Sequence, residues 1–414
     1  MILVAIIAAL IGGILNGSFN VFMRSDAPTL RFNLLSQRTV MASESDEGER
    51  NMTKRDMVLD FKILTPMGWQ YENAWLFFTL WSIVLSFIYC YSSIPPSTLH
   101  DIFRAAPAKS LGLLITFSFM WGMGTIGYGK IISMLGMSLG TSLIMAVVVC
   151  IGTALPLIVF GAEVNLQLLF IIIGIMFAVL GFGLSAYAGI KRDAVTGFKV
   201  QPDREIESNL VIDNDDYCED GEDIRKVQNA SHDNTEDLSF MSKVGIAFLG
   251  GMFASQLQFG FVFGNDLIKE AEKSKYNISK SNTSLVIWYW AFMIAAIPNV
   301  IYSCIMLTRN DTWSRFFNTP GFFSKCFKTL IMSVMWSAHI HLYGYSTLQF
   351  GEDLGAALAW PILMSSTVFS GQMCAIMFEE WKNAPIEAIR TNWLSMFALF
   401  LSVASLAVAG LLFS

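Results

Sequence analysis

The sequence of 414 residues is poor in charge, because only 14% of its residues are charged whereas 54% are hydrophobic. A soluble domain usually carries about a quarter charged residues. The apolar residues are gathered into runs of about 20, the length that crosses the hydrocarbon core of a bilayer. Backbone groups inside lipid must pair with one another, so such runs are expected to be helices. The chain is therefore predicted to be all-α and to cross a membrane many times.

Several kinds of chemical site are also absent from the sequence. The six cysteines form no Cys-x-x-Cys pair, and there is no zinc-ligand spacing and no basic stripe of the kind that binds nucleic acid. The few ionisable residues within the apolar runs form no catalytic cluster of a nucleophile with its base. We therefore expect no cofactor, no metal and no nucleic-acid partner, and we expect that the chain is not an enzyme.

Ten transmembrane helices are predicted from the apolar runs. The first run begins at Met1 without a charged leader, so we interpret it as a retained helix and not as a cleaved signal peptide. The predicted helices lie at residues 1–23, 73–93, 110–132, 134–160, 167–190, 243–267, 283–307, 327–349, 355–378 and 392–414.

Two long polar segments interrupt this series. Residues 24–72 are mixed in charge, and residues 191–242 contain 14 Asp or Glu residues and few aromatic ones, which predicts a disordered loop. The loops after odd-numbered helices hold 21 of the 27 Lys and Arg residues, so they are predicted to be cytosolic. Both termini are then predicted to be non-cytosolic, in a plasma or organellar membrane that the sequence does not distinguish.

An internal repeat relates the third predicted helix to the eighth. Trp121 and Tyr128 in the third helix match Trp336 and Tyr343 in the eighth, at a constant offset of 215 residues. Similar matches relate the first helix to the sixth and the fourth to the ninth, in the same order along the chain. The chain is therefore interpreted as two related halves of five helices each.

Five is an odd number, so the second half would enter the membrane from the opposite side. The predicted units are a first repeat over residues 1–190 and a second over 243–414, joined by the acidic loop 191–242. Inverted repeats are typical of secondary carriers, which bind their solute near the bilayer midplane between the two halves. This architecture predicts a carrier that works by alternating access.

Residues 119–129, which read Phe-Met-Trp-Gly-Met-Gly-Thr-Ile-Gly-Tyr-Gly, resemble the L-rhamnose–proton symporter family. The stretch Leu-Gly-Met-Ser-Leu-Gly at 135–140 and the Glu-Trp-Lys-Asn-Ala stretch at 380–384 are also similar to that family. The family belongs to the drug/metabolite transporter superfamily of ten-helix carriers. The resemblance implies proton-coupled uptake of rhamnose or a related monosaccharide.

The chain differs from the family pattern in two respects. The bacterial members have short loops, whereas the two long polar segments of this chain suggest a eukaryotic setting. The family pattern also has Gly at the position of Thr125 and Thr at the position of Gly127. These positions lie where substrate contacts are expected, so the choice between rhamnose and another sugar stays open.

Aromatic and amide side chains within the helices are the candidates for binding a sugar. An aromatic face suits the apolar side of a sugar ring, and an amide inside the membrane needs a partner or a wet cavity. Interhelical packing and interhelical hydrogen bonds are the alternative roles for all of them. The candidates are Asn16, Trp121, Tyr128, Gln256, Trp336 and Tyr343, with Gln258 as a further buried amide.

Proton coupling needs an ionisable group within the membrane, and such groups are rare and usually functional. His339 and His341 in the eighth predicted helix are the candidates, because imidazole titrates near physiological pH. Two residues apart, they project from different faces of the helix. The alternative is a neutral, hydrogen-bonded histidine.

Three other functions compete with sugar transport. A carrier for a nucleotide sugar or a drug would keep the fold, although few basic residues lie in the helices to bind phosphates. A membrane sensor would need a folded domain outside the membrane, and a membrane enzyme would need a catalytic cluster. The expected partners are a small neutral solute, protons and the lipid bilayer; the oligomeric state stays open.

Overall fold

The computed structural model describes residues 1–19, 69–159, 165–196, 240–351, 355–377 and 380–412. Within these ranges every regular element is helical. The polar segment 24–72 and the acidic loop 191–242 lie almost entirely outside the described residues, and so does the prediction that the acidic loop is disordered.

The described chain forms thirteen α-helices and two short 3₁₀ turns. The helices are α1 (Ile2–Ser18), α2 (Tyr71–Ser93), α3 (Pro96–Ala105), α4 (Ala108–Val159), α5 (Leu166–Thr196), α6 (Phe240–Ala254), α7 (Gln256–Phe263), α8 (Asn265–Ala271), α9 (Leu285–Arg309), α10 (Arg315–Asn318), α11 (Phe322–Phe350), α12 (Gly355–Met377) and α13 (Ile386–Leu412). The 3₁₀ turns lie at Ser274–Tyr276 and Lys280–Asn282, between α8 and α9.

Seven stretches of the described chain are long and apolar enough to cross a membrane. They are Tyr71–Ser93, Ala108–Tyr128, Leu139–Val159, Leu166–Arg192, Ser242–Ala271, Lys280–Arg309 and Ile386–Leu411. Each coincides with one of the ten predicted helices. Helix α1, within the first predicted helix, is apolar but has only 17 residues, and the eighth and ninth, α11 and α12, are long but less apolar. The count of ten membrane-crossing helices therefore stays a prediction.

Helix α4 contains two of these stretches, and the chain reverses between them. A Cβ atom added at Gly140 would lie 3.0 Å from the carbonyl oxygen of Ile131. In a straight α-helix nine residues rise by about 13 Å, so the two positions would be far apart. The third and fourth predicted helices thus run in opposite directions, although helical backbone is continuous between them.

Helix α12 is the most enclosed long helix, with 19 of its 23 residues buried. It packs against α1, α4, α11 and α13. Gly17 of α1 permits a close approach, because a Cβ atom there would lie 2.3 Å from the carbonyl oxygen of Thr367. Hydroxyl groups on α12 bond to its own backbone, as from Ser366 to Ile362 and from Thr367 to Leu363. A helix that faces protein instead of lipid can be less apolar, which explains why α12 resembles a membrane span less than its neighbours do.

The Glu-Trp-Lys-Asn-Ala stretch fastens the ends of α5, α12 and α13 together. Glu380 accepts a hydrogen bond of 3.0 Å from Nη1 of Arg192 on α5, and both side chains are almost completely buried. The guanidinium of Arg192 lies 5.2 Å from the centre of the Trp381 ring. Nearby, Lys191 forms a more exposed ion pair of 2.8 Å with Glu387. Removing one partner of the buried Arg192–Glu380 pair would leave an uncompensated charge, so both residues are needed together.

Two short helices were not predicted from the sequence. Helix α3 begins at Pro96, a residue that suits the first turn of a helix, and it buries Leu99 and Ile102 along one side. Helix α10 spans only four residues and buries Phe316. Neither helix contains an apolar run, and hydropathy therefore gave no signal for them.

Candidate functional site

A cavity lies among α2, α4, α9 and α11, beside the end of α1. No lining residue is charged, and the wall combines aromatic rings with amide and hydroxyl groups. The lining residues are Phe19, Trp75, Phe78, Thr79, Ser82, Thr125, Tyr128, Phe292, Ala295, Ala296, Asn299 and Trp336.

Asn299 of α9 is the polar centre of this wall. Its Oδ1 accepts a hydrogen bond of 2.8 Å from Nε1 of Trp75 on α2. Its Nδ2 lies 2.7 Å from the carbonyl oxygen of Ala295 and 3.0 Å from that of Gly122 on α4. The hydroxyl of Thr125 is 3.1 Å from Oδ1. One amide thus joins three helices at the cavity surface and fixes the positions of the groups around it.

Trp336 forms the aromatic wall of the cavity. Its ring is stacked on Trp121 with centroids 5.4 Å apart and an angle of 12° between the planes. Phe292 and Phe78 contact it edge-on, at 5.2 Å and 5.3 Å. Trp121 is buried and lies behind the wall, whereas Trp336 is half-buried and faces the cavity. The arrangement holds one indole ring rigidly where a ring-shaped solute could lie against it.

The structure therefore brings two of the predicted aromatic residues to the cavity, and Trp121 directly behind it. Tyr128 lines the same wall from α4. Tyr343 does not, because it is completely buried in a cluster with Phe261, Trp288 and Trp360, at centroid distances of 5.3, 6.0 and 5.2 Å.

The predicted amides lie away from the cavity. Nδ2 of Asn16 donates to Oγ1 of Thr367 at 3.2 Å, which joins α1 to α12. Gln256, the first residue of α7, donates to the carbonyl oxygen of Met252 in α6 at 2.8 Å. Gln258 accepts a hydrogen bond from the hydroxyl of Tyr343. These three amides thus form hydrogen bonds that hold helices together, which is the alternative role to solute binding.

The two predicted histidines flank the cavity wall without lining it. His339 is buried, and its ring centre lies 6.0 Å from that of Trp336. The ring of His341 stacks on Phe292 at 5.9 Å, and its Nδ1 lies 2.6 Å from the carbonyl oxygen of Ser337. Each histidine thus touches an aromatic residue that faces the cavity, and a change in either ring could be transmitted to the wall.

A second cavity lies near the ends of α7, α8 and α11. Its lining includes Lys269 and Glu272, and it contains none of the predicted site residues. The first cavity is the better candidate, because it is neutral and joins elements from both predicted halves of the chain.

Sequence reasoning missed Asn299, although the signal was present. An amide within the apolar helix α9, directly after Pro298, fits the same rule that selected Asn16 and Gln256. Thr125 was noted only for its bearing on the family pattern. What the sequence could not supply was the packing of α9 against α2 and α4, which decides which amide faces a cavity.

Comparison with known proteins gives one consistent family. A family profile described as L-rhamnose-proton symport protein (RhaT) matches residues 63–212. The L-rhamnose-proton symporter of Pectobacterium atrosepticum is 21% identical over 334 residues, which cover 76% of this chain and 85% of the relative. That of Yersinia pestis bv. Antiqua is 23% identical over 329 residues, covering 75% and 83%. That of Klebsiella pneumoniae is 28% identical over 136 residues, covering 31% and 40%.

No solved structure matches the chain. The resemblance to the L-rhamnose–proton symporter family that the sequence motifs predicted is confirmed, since the profile covers the motif at residues 119–129. The relatives are named as symporters and not as enzymes. Together with the seven apolar helices, the resemblance identifies an integral, multi-pass membrane protein.

Proposed function

We propose that this protein is a secondary carrier for a small neutral polar solute, most simply a monosaccharide such as L-rhamnose, taken up with protons. The cavity carries this proposal: its lining combines an indole ring with an amide and hydroxyl groups, and none of its lining residues is charged. A sugar offers an apolar ring face and several hydroxyl groups, which match these two surfaces. The relatives named as L-rhamnose-proton symporters support both the sugar and the proton.

The architecture that fits this function is ten transmembrane helices in two inverted repeats of the drug/metabolite transporter type. The cavity lies between α2 and α4 of the first half and α9 and α11 of the second, where alternating access requires the solute site to be. The end of α2 near Trp69 would be cytosolic and both termini non-cytosolic, in line with the distribution of Lys and Arg.

Within the cavity, Trp336 would stack on the sugar ring, with Trp121 as its support. Tyr128, Asn299 and Thr125 would bind hydroxyl groups. The remaining predicted residues would hold helices together near the site. Those residues are Asn16, Gln256 and Tyr343.

His339 and His341 are proposed to respond to the proton. Both lie on α11, the helix that presents Trp336 to the cavity. Gain of a proton by a buried imidazole requires a rearrangement of its surroundings, since an uncompensated charge is costly there. The rings of Trp336 and Phe292 are the first groups that such a rearrangement would move.

A nucleotide sugar is disfavoured as the solute. Recognition of its phosphates would need Lys or Arg in the cavity, and the lining contains neither. An apolar drug would not form hydrogen bonds with Asn299 or with the four hydroxyl-bearing lining residues Thr79, Ser82, Thr125 and Tyr128. These features leave a neutral, hydroxyl-rich solute as the best match.

Uptake of radiolabelled L-rhamnose, glucose and other monosaccharides into proteoliposomes tests the proposal, with and without an inward proton gradient. We expect one sugar to accumulate only with the gradient. Trp336→Leu should slow uptake, whereas Trp393→Leu, at a tryptophan exposed on the outside of α13, should not. If the folded protein takes up none of these sugars, the proposal that its solute is a sugar is refuted. If uptake does not depend on the gradient, the proposal that it is a proton symporter is refuted.

A further inference from the structure

A lysine near the beginning of α11 is buried, and none of the described residues forms an ion pair with it. Lys325 is only 6% exposed, and its ammonium group has no hydrogen-bond partner. It lies 5.6 Å from the ring centre of Trp69, whose indole N–H also has no acceptor. Phe77, Phe316 and Phe322 surround that ring, at centroid distances of 5.2, 5.3 and 5.9 Å. We call this contact between Lys325 and the aromatic ring of Trp69 the α2–α11 seam.

The surroundings of Lys325 disfavour a charged ammonium. Burial removes the water that would stabilise the charge, and only the face of the Trp69 ring offsets this loss. Lys328 follows three residues later on the same helix and is equally buried, which places a like charge close by. The first turns of a helix add a positive partial charge.

The charged groups on the helices packed against the seam do not compensate. Glu72 of α2 already accepts hydrogen bonds from Asn310 at 3.0 Å and Thr312 at 2.9 Å. The other charged residues on the described helices packed here are Arg309 of α9 and Arg315 of α10, which are again cations, and Asp311 between these two helices is exposed. The closed seam is therefore compatible with a neutral amine, and a proton on Lys325 favours its separation, which would admit water to both unpaired donors.

The seam is directly connected to the cavity. Trp69 immediately precedes α2, which supplies Trp75 and three more residues to the cavity wall, and Lys325 lies on the helix that carries Trp336. Further along, α2 and α11 are joined by the hydrogen bond of 2.8 Å between Ser82 and Ser333. Separation at the seam would therefore turn the two helices about this bond and widen the gap between two walls of the cavity.

We infer that Lys325 binds and releases a proton, and that its charge state opens and closes the seam beside the solute cavity. This inference rests on the proposed function, because it assigns a second proton-sensitive group to the same carrier. The seam would act as a gate for the solute cavity. The proton binds near one end of the α2–α11 pair, whereas the solute contacts the middle of these two helices.

Transport by three variants tests the inference. Lys325→Met keeps the side-chain length and removes the charge, whereas Lys325→Arg keeps a permanent charge. Lys273→Met is the control, because that lysine is largely exposed and pairs with Glu270 at a distant site. With L-rhamnose in proteoliposomes, we expect Lys325→Met to retain counterflow without a gradient and to lose gradient-driven accumulation. Lys325→Arg should also lose accumulation, and the control should behave as the wild type. Accumulation by Lys325→Met at the wild-type level would overturn the inference.

Hydrogen exchange of the first turns of α2 gives a second readout that does not depend on transport. In the wild type, exchange corrected for its intrinsic pH dependence should become faster as the pH is lowered. It should be slow at every pH in Lys325→Met and fast at every pH in Lys325→Arg. An unchanged pH response in Lys325→Met would refute the inference even if the sugar proposal holds. Conversely, lack of sugar uptake by the wild type would refute the solute and leave this measurement decisive for the lysine.

Discussion

The third and eighth predicted helices carry the same pair of aromatic residues in different surroundings. Tyr128 on α4 lines a cavity, whereas Tyr343 on α11 is enclosed by three aromatic side chains and an amide. Trp121 and Trp336 stack on each other between these two regions. The two helices share a sequence pattern, but the helices packed around them determine that Tyr128 is accessible to a solute and that Tyr343 is not.

The contrast has the form expected of a carrier that alternates between two states. A transporter with inverted repeats has related regions at its two ends, and only one is open at a time. The region around Tyr128 would be the open one here, and the region around Tyr343 the closed one. Substitutions test this contrast: those near Tyr343 should mainly affect stability, and those near Tyr128 should mainly affect transport.

The largest effect is expected from Tyr343→Ala. Removal of a completely buried aromatic ring leaves a cavity, and such changes cost about 3–5 kcal/mol. The melting temperature of the purified protein in detergent should fall strongly. Trp393→Ala, on the exposed side of α13, is the matched control and should have little effect. A normal melting temperature for Tyr343→Ala would show that this region is not the packed counterpart of the cavity.

Asn299→Ala should damage both stability and transport. The substitution leaves the indole N–H of Trp75 without its acceptor, and an unpaired buried group costs about 1–3 kcal/mol. Uptake should be lost as well, since the cavity loses its central amide. Sugar binding and thermal unfolding, measured on the same sample, separate the two effects. Wild-type affinity would exclude Asn299 from the site.

Trp336→Leu should mainly reduce transport. Loss of an aromatic stacking partner costs about 1 kcal/mol, which corresponds to a decrease of roughly fivefold to tenfold in kcat/KM. Initial uptake rates at several sugar concentrations give this ratio. An effect confined to the melting temperature would mean that the ring is structural, like that of Tyr343.

The smallest effects are expected from removal of single hydroxyl groups, and here the two tyrosines should differ. Tyr343→Phe removes the hydrogen bond to Oε1 of Gln258 and should lower stability by about 0.5–1 kcal/mol. Tyr128→Phe should raise KM with little change in stability. Thermal unfolding and sugar uptake, measured on both variants, test this difference. Identical behaviour of the two variants would contradict it.

Sequence reasoning succeeded where lipid exposure determines composition. The seven apolar stretches coincide with predicted helices, because side chains that face lipid must be apolar. It was weaker where a helix faces protein, since α11 and α12 carry polar residues that pair internally. For the site, Tyr128 and Trp336 were predicted from the repeat. Asn299 was not, because only tertiary packing distinguishes it from Asn16, an amide of the same type that bonds to Thr367.

The enclosure of α12 has a consequence for the synthesis of the protein. A helix rich in Ser and Thr gains little from lipid alone, so it must be received by helices that are already in the bilayer. Its main partner is α1, and the hydrogen-bonded residues Asn16 and Thr367 are 351 positions apart. The glycine-containing face of α1 is therefore expected to remain without its partner in the membrane until α12 has been synthesised, near the end of translation. Docking of α12 against this face is thus expected to be a late step of folding.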